Sequence, residues 1–187
     1  NIDFEHIDCY KSLEDLKGAF IQFANSVPFY GMVSICKDSK NAASIIPLID
    51  KPVVTYGIES DDVDFKAINI VHQDGTISFE LVYKDRSYPF EMSVPGSYNI
   101  LNALAAISVC KTMGLKIEDI SSSLKSFSGV KRRFDVKKHS EDLTIIDDYA
   151  HHPVEVSSVI KAVKDNWDRR LLVVFQPHLF SRTKQFF

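Results

Sequence analysis

The sequence predicts an α/β fold: a mostly parallel central sheet with an appended antiparallel meander, followed by the start of a second α/β domain. Three observations predict it. From Ser12 to Ile58, strand-length apolar runs alternate with helical patterns, the order that builds parallel sheets covered by helices. Three runs of alternating apolar and polar residues come next, with Asp74-Gly75 and Asp85-Arg86 between them; Asp-Gly in such a place is a hairpin signal. After Ser128-Gly129-Val130-Lys131-Arg132-Arg133-Phe134 the alternation of strand and helix starts again.

Taken in order, the chain opens on Asp3, Glu5, His6 and Asp8. Ser12 is placed to cap a helix, with Asp15 three residues on completing a loose capping box. Leu13, Leu16, Phe20 and Phe23 recur at helical spacing and are expected to face the core. Pro28 closes that helix. Met32 to Cys36 reads as a strand, Ala42 to Ile49 as a short helix and Val53 to Ile58 as a strand. Phe65 to His72, Ile77 to Lys84 and Ser87 to Val94 form the meander. Pro95-Gly96 opens a helix running to about Met113, with Leu101, Leu104, Ala105, Ser108 and Val109 as its buried stripe and Gly114 as its terminator. A helix from about Ile117 to Phe127 leads to the linker, and the domain boundary is placed between Gly129 and Val130. Beyond it, Phe134 to Val136 and Leu143 to Ile146 are expected strands, Val154 to Trp167 a helix, and Leu171 to Phe175 a fully buried strand. A further helix is expected to start within Gln176 to Thr183. His72 and His139 fall at hairpin and loop positions and are expected at the surface.

Composition narrows the function. The chain has 187 residues, 45% hydrophobic and 25% charged, values of a globular protein with room for one large domain or one and a half ordinary ones. A net charge of −3 without a basic stripe excludes a nucleic-acid partner. No apolar run approaches the roughly 18 residues of a membrane span, and the polar start at Asn1 is no signal peptide. Cys9, Cys36 and Cys110 are far apart and form no CxxC pair, which points to a reducing cytoplasm. Asn1 in place of an initiator methionine, and an end at Phe186-Phe187 inside a helical pattern, are expected of a piece of a longer protein.

The segment with most chemistry is Asp147-Asp148-Tyr149-Ala150-His151-His152-Pro153. It follows an apolar strand, and Pro153 fits the first turn of a helix. Ligands of open α/β sheets gather at such carboxyl-terminal strand ends. A plain solvated turn would need neither paired histidines nor adjacent acids. Asn99 and Asn102 share a helix face; their carboxamides match the edge of adenine, although one could equally cap the helix. Arg132-Arg133 is either a phosphate clamp or a solvated basic linker. His6, between Glu5 and Asp8, is either a cation ligand or a surface histidine. His178 and Arg182 lie four apart at a predicted helix start, where a carboxylate would be welcome. Neither GxxxxGK[ST] nor GxGxxG occurs, so neither familiar phosphate cradle is present.

In order, these segments resemble one family. Asn-Ile-x-x-x-His-x-Asp at Asn1 to Asp8, Pro-Gly-x-x-Asn-x-x-Asn-Ala at Pro95 to Ala103, Gly129 to Phe134, and Asp148 to Pro153 are similar to the Mur ligases of peptidoglycan synthesis. Val27-Pro28-Phe29-Tyr30-Gly31 and Phe175 to Thr183 narrow the likeness to members that add L-alanine to UDP-N-acetylmuramate. The resemblance implies an ATPase domain followed by a Rossmann-like C-terminal domain, here the later part of the first (1–129) and the beginning of the second (130–187). It implies a phosphate loop and a magnesium-binding glutamate upstream of Asn1, so that these residues alone would be inactive. It implies ATP and Mg²⁺, with UDP-N-acetylmuramate and L-alanine as substrates joined through an acyl phosphate. By the same resemblance His6 binds metal, Asn99 and Asn102 contact adenine, Asp148 holds the ribose, and Arg133 contacts phosphate. Tyr149, His151, His178 and Arg182 line the amino-acid side, and Arg133, Asp148 and His151 stand closest to the chemistry. Asp3 and Tyr98 depart from the glutamate and histidine usual at their positions. Three rivals are a ligase that recycles murein tripeptide, a more remote folylpolyglutamate synthase-like enzyme, and a non-catalytic binding module.

Overall fold

Ser12 starts α1 (Leu13–Asn25) as expected, its hydroxyl accepting the Asp15 N–H at 3.1 Å. The structure is a computed structural model that describes residues 1–4 and 9–177. The buried side of α1 differs from expectation. Leu16 and Ala24 are buried and Leu13 and Ile21 pack against the cluster that holds Leu16, while Phe20 is 40% and Phe23 76% exposed. Neighbours on a helix lie about 100° apart, so turning the small Ala24 inward turns Phe23 out.

The chain forms two compact units. The first comprises Asn1–Ile68, Glu80–Pro89 and Leu101–Ile120; the second comprises Asn69–Phe79, Phe90–Ile100 and the chain from Ser121 onward. In the first unit, β1 (Val33–Cys36), α2 (Lys40–Ile45), a 3₁₀ turn at Ile46–Leu48 and β2 (Val53–Gly57) follow α1. β1 and β2 pair in parallel from Val33↔Val53 to Cys36↔Tyr56. Ile2, Leu16, Ile35, Ala42 and Ile45 make a core cluster, in which each large side chain contributes roughly 1.5–3 kcal/mol.

The meander consists of β3 (Phe65–Gln73), β4 (Thr76–Tyr83) and β5 (Arg86–Met92), giving a five-stranded sheet in the order β1-β2-β3-β4-β5. β3 joins β2 in parallel through Tyr56↔Phe65 and Gly57↔Lys66. Two-residue links between β3, β4 and β5 suit only antiparallel neighbours. Asp74 and Gly75 have φ of +45° and +81°, Lys84 and Asp85 +50° and +59°, the left-handed pairs that tight hairpins need. The second turn is therefore Lys84-Asp85, not Asp85-Arg86. A one-residue slip would have flipped Phe90 and Met92 out of the core. His72, expected at the surface, is half-buried, and its Nδ1 is shut away without a hydrogen-bond partner.

α3 (Ser97–Thr112) ends at Gly114 with φ +92°. Its buried stripe is Ile100, Ala103, Leu104, Ile107 and Ser108, rotated by one residue from the expected one; Val109 is 41% exposed. The chosen face buries Ile100 and Ile107 in place of Leu101 and Val109. Buried Ser108 stays satisfied, its hydroxyl 2.6 Å from that of Ser34 on β1 and donating to the Ala105 carbonyl at 2.8 Å. α4 (Ile117–Ser126) buries Ile117 and Ile120.

In the second unit β6 (Asp135–His139) and β7 (Thr144–Asp147) pair antiparallel, and α5 (Pro153–Asn166) follows. Phe134, Ala162 and Trp167 form a core cluster with Tyr98, Ile146, Val159 and Val163. Leu171 to Phe175 is neither strand nor buried: Leu172, Val173 and Val174 are exposed. A buried parallel strand needs strands on its flanks and helices over its faces, and among the described residues the sheet of β6 and β7 has two strands.

Asp38, just after β1, ties the first unit's loop together. Its carboxylate accepts the N–H groups of Ile58 at 2.6 Å, Ser60 at 2.9 Å and Glu59 at 3.2 Å. Gly57 permits this approach, since a Cβ there would lie 2.6 Å from Asp38 Oδ1. Burial opposes the charge, but the three N–H donors prevail and hold the carboxyl below its ordinary value of 3.8. Asp38→Asn is expected to lower stability at pH 7 by about 1–3 kcal/mol in urea unfolding. Because the folded pKa is depressed, this stabilisation is present above the unfolded value and is lost as pH falls through the folded one. The gap between wild type and D38N should therefore close in acid; a gap of constant size would refute the assignment.

Candidate functional site

Asp148 closes the turn between β7 and α5. Its Oδ2 accepts the Phe134 N–H and its Oδ1 the Ala150 N–H, both at 2.7 Å. Phe134 and Arg132 have φ of +51° and +58°, costly for residues with a Cβ, and charge-assisted hydrogen bonds of this kind offset the cost. The Tyr149 N–H donates to the Arg132 carbonyl at 2.9 Å. The Arg132 guanidinium lies 4.9 Å over the Tyr149 ring, with its Nε 3.9 Å from Asp147 Oδ2. Of the two arginines, Arg132 thus holds the turn itself. Arg133 is exposed, and its charge acts on Tyr98 and Glu155.

The two histidines differ. His152 is the N-cap of α5, its Nδ1 accepting the Val154 N–H at 3.3 Å, and Pro153 follows in the first turn as expected. His151 has Nδ1 at 2.9 Å from the Tyr149 carbonyl oxygen and its ring edge-on to Tyr149, centroids 5.2 Å apart. Glu155 was missed in the sequence. Its Oε2 accepts the N–H of His151 at 3.1 Å and of His152 at 3.2 Å, completing a capping box. The signal was there: an acid three residues after a capping residue, just inside a proline-started helix. Burial raises the Glu155 pKa, but those two N–H groups and the charges of His151 and Arg133 bring it below its ordinary 4.5.

Tyr98 and Asn99 stand at the start of α3. Gly96, at φ +104°, leaves room for the Tyr98 ring, whose Cε1 would lie 2.6 Å from a Cβ there. Burial and the nearby Asp148 charge push the Tyr98 phenol up to about 12, against the pull of Asn99 and Arg133. Its buried hydroxyl comes near the Asn99 carboxamide without closing a hydrogen bond of ordinary geometry. The Asn99 side chain donates to the Pro95 carbonyl at 2.7 Å, a tie to the turn before α3 that differs from an N-cap, whose side chain accepts a backbone N–H. Tyr98, Asn99, Arg133, Asp148, Tyr149 and His151 all belong to the second unit; Asn102, exposed on α3, belongs to the first. His6, His178 and Arg182 lie outside the described residues. Among the described residues no three His, Cys, Asp or Glu side chains group as a metal site. Asp148→Ala is expected to cost about 1–3 kcal/mol by releasing two buried-side N–H donors; equal unfolding midpoints for D148A and wild type would refute that role.

Two family models match the chain: the Mur ligase middle domain over residues 1–110, and the glutamate ligase domain of Mur ligases over residues 132–187. A UDP-N-acetylmuramate–L-alanine ligase of Geotalea daltonii is 45% identical over 188 aligned positions, covering 100% of this chain and 41% of the relative. One of Geobacter sulfurreducens is 42% identical, with the same coverage of each. The chain thus spans about two-fifths of the length of these relatives. Among solved structures, MurF of Acinetobacter baumannii superposes with a TM-score of 0.78 at 19% identity, covering 89% of this chain and 36% of that one. The UDP-N-acetylmuramate–alanine ligase MurC of Thermotoga maritima gives 0.74 at 24% identity, with 89% and 37% covered. A murein peptide ligase of Psychrobacter arcticus gives 0.61 at 21%, with 83% and 33% covered. Those structural likenesses bear on the fold, and the middle-domain match takes in more than half of the residues: the chain belongs to the Mur ligase family.

Proposed function

We propose that these residues are the later part of the ATP-binding domain and the beginning of the C-terminal domain, divided at Gly129 and Val130, of an ATP-dependent ligase that joins L-alanine to UDP-N-acetylmuramate. The observation that carries the reading is the Asp148 turn, where one carboxylate anchors a strand end, a helix start and the arginine-bearing linker. The names of the relatives that align from end to end support the substrates, and an ADP complex of a structural neighbour, the MurF ligase of Thermotoga maritima, supports the nucleotide.

In this reading a carboxylate oxygen of the sugar substrate attacks the γ-phosphorus of ATP, ADP leaves, and an acyl phosphate forms. The alanine amine then attacks the carbonyl and phosphate leaves. Positioning and charge stabilisation carry such chemistry. Arg133 supplies charge to the transferred phosphate. Asp148 keeps its backbone bonds, and the remaining lone pairs of its oxygens accept from the ribose hydroxyls. Asn99 and Asn102 offer carboxamide donors and acceptors to adenine. Tyr149 and His151 flank the amino acid, with His178 and Arg182 toward its carboxylate and His6 toward the metal.

The test is phosphate release by a protein of the relatives' full length that carries this sequence. With ATP and UDP-N-acetylmuramate, release is expected on adding L-alanine and not on adding L-Ala-D-Glu-meso-diaminopimelate. Preference for the tripeptide would replace the reading with a recycling ligase, and release with neither would leave a binding module. Arg133→Ala should lower kcat by roughly 10²–10³-fold, the effect of removing one charge-stabilising donor. The 187-residue chain alone, whose sequence contains no phosphate loop, should release none.

A further inference from the structure

His151 Nδ1 sits 2.9 Å from the Tyr149 carbonyl oxygen. A carbonyl only accepts, so this nitrogen carries the proton and Nε2 is the acceptor of the neutral ring. Two features hold that state, and both belong to Glu155. Its Oε2 takes the His151 N–H at 3.1 Å, fixing the backbone from which the ring reaches the carbonyl. The same oxygen lies 3.7 Å from Nδ1, too far for a hydrogen bond but close enough for its negative charge to favour a proton on the nearer nitrogen. Both side chains are partly shielded from water, His151 more than Glu155, so the field is only partly screened. Burial alone would favour a neutral Glu155, but the backbone N–H groups of His151 and His152 act against it and hold the carboxyl below its ordinary value, which keeps that charge in place at neutral pH whether or not the His151 ring is protonated.

We infer that Glu155 is a positioning residue that holds His151 as its Nδ1–H tautomer, presenting Nε2 as the proton acceptor for the incoming amine. The amine part rests on the proposed ligase reading; the tautomer part does not. An alanine ammonium must shed a proton before its nitrogen can attack. In the balanced step one ammonium proton passes to Nε2, the freed nitrogen lone pair forms the C–N bond, phosphate leaves with the electrons of the C–O bond, and the second nitrogen proton departs on the leaving phosphate. A tautomer with the proton on Nε2 would present a donor where an acceptor is needed.

The rival is that Glu155 is a helix cap and nothing more. Glutamine serves in a capping box as well as glutamate does but lacks the charge, so Glu155→Gln separates the two. ¹⁵N spectra of the 187-residue chain at neutral pH read the tautomer of His151 directly. The wild type is expected to show Nδ1–H alone. E155Q should melt as the wild type does yet mix in the Nε2–H form that free histidine prefers, and E155A should mix in more. In the full-length protein, E155Q should lower kcat roughly tenfold or more, in the direction of the ~10⁴-fold loss when a catalytic triad's orienting carboxylate is neutralised. Its KM for ATP should change less than about twofold. An Nε2–H wild type, or an unchanged Nδ1–H signal in E155Q and E155A, would overturn the inference. If the full-length wild type released no phosphate, the ligase reading would fail while the spectra still decided the role of Glu155.

Discussion

The Asp148 carboxylate is the point on which the second unit turns. One oxygen reaches back to the linker and the other reaches forward to the helix entry. The backward bond stabilises Phe134 in a left-handed conformation that its side chain disfavours. That conformation places the Phe134 ring in the buried cluster, stacked on Trp167 with centroids 6.2 Å apart. Packing and chemistry are therefore coupled: the residue offered to a nucleotide also sets the shape of the core behind it.

Charge around the turn is arranged in pairs. Arg132 faces Asp147 and the Tyr149 ring, while Arg133 acts on Glu155 and Tyr98. Tyr98 stands in the first turn of α3. Its ring packs against the Phe134 cluster and its phenol stays protonated far above neutral pH.

Much of this was legible in the residues, because local rules acted alone. The Ser12 cap, the Asp74-Gly75 turn, the Gly114 terminator and the proline at the start of α5 each follow from backbone geometry within a few positions. The faces of α1 and α3 were less legible. Both carry apolar residues on more than one side, and which side turns inward depends on the elements opposite, such as Ser34 meeting Ser108. The second hairpin turns one residue earlier than expected, at Lys84-Asp85, in the register that buries Phe90 and Met92. The Asp148 turn stood out through its unusual cluster of polar side chains. Glu155 did not, since an acid in the first turn of a helix is common, and only its three-way approach to His151 and His152 gives it meaning.

Leu172, Val173 and Val174 present apolar side chains to water, Val174 at 99% exposure, in a run without a charge or a proline and outside any strand. β-branched residues in such a run are predisposed to extended pairing, and an accessible extended segment is a template for another copy of itself. For a preparation of these residues alone, this segment is where intermolecular strand addition would be expected to begin as concentration rises. Colloidal behaviour, more than unfolding, would govern how the chain must be handled.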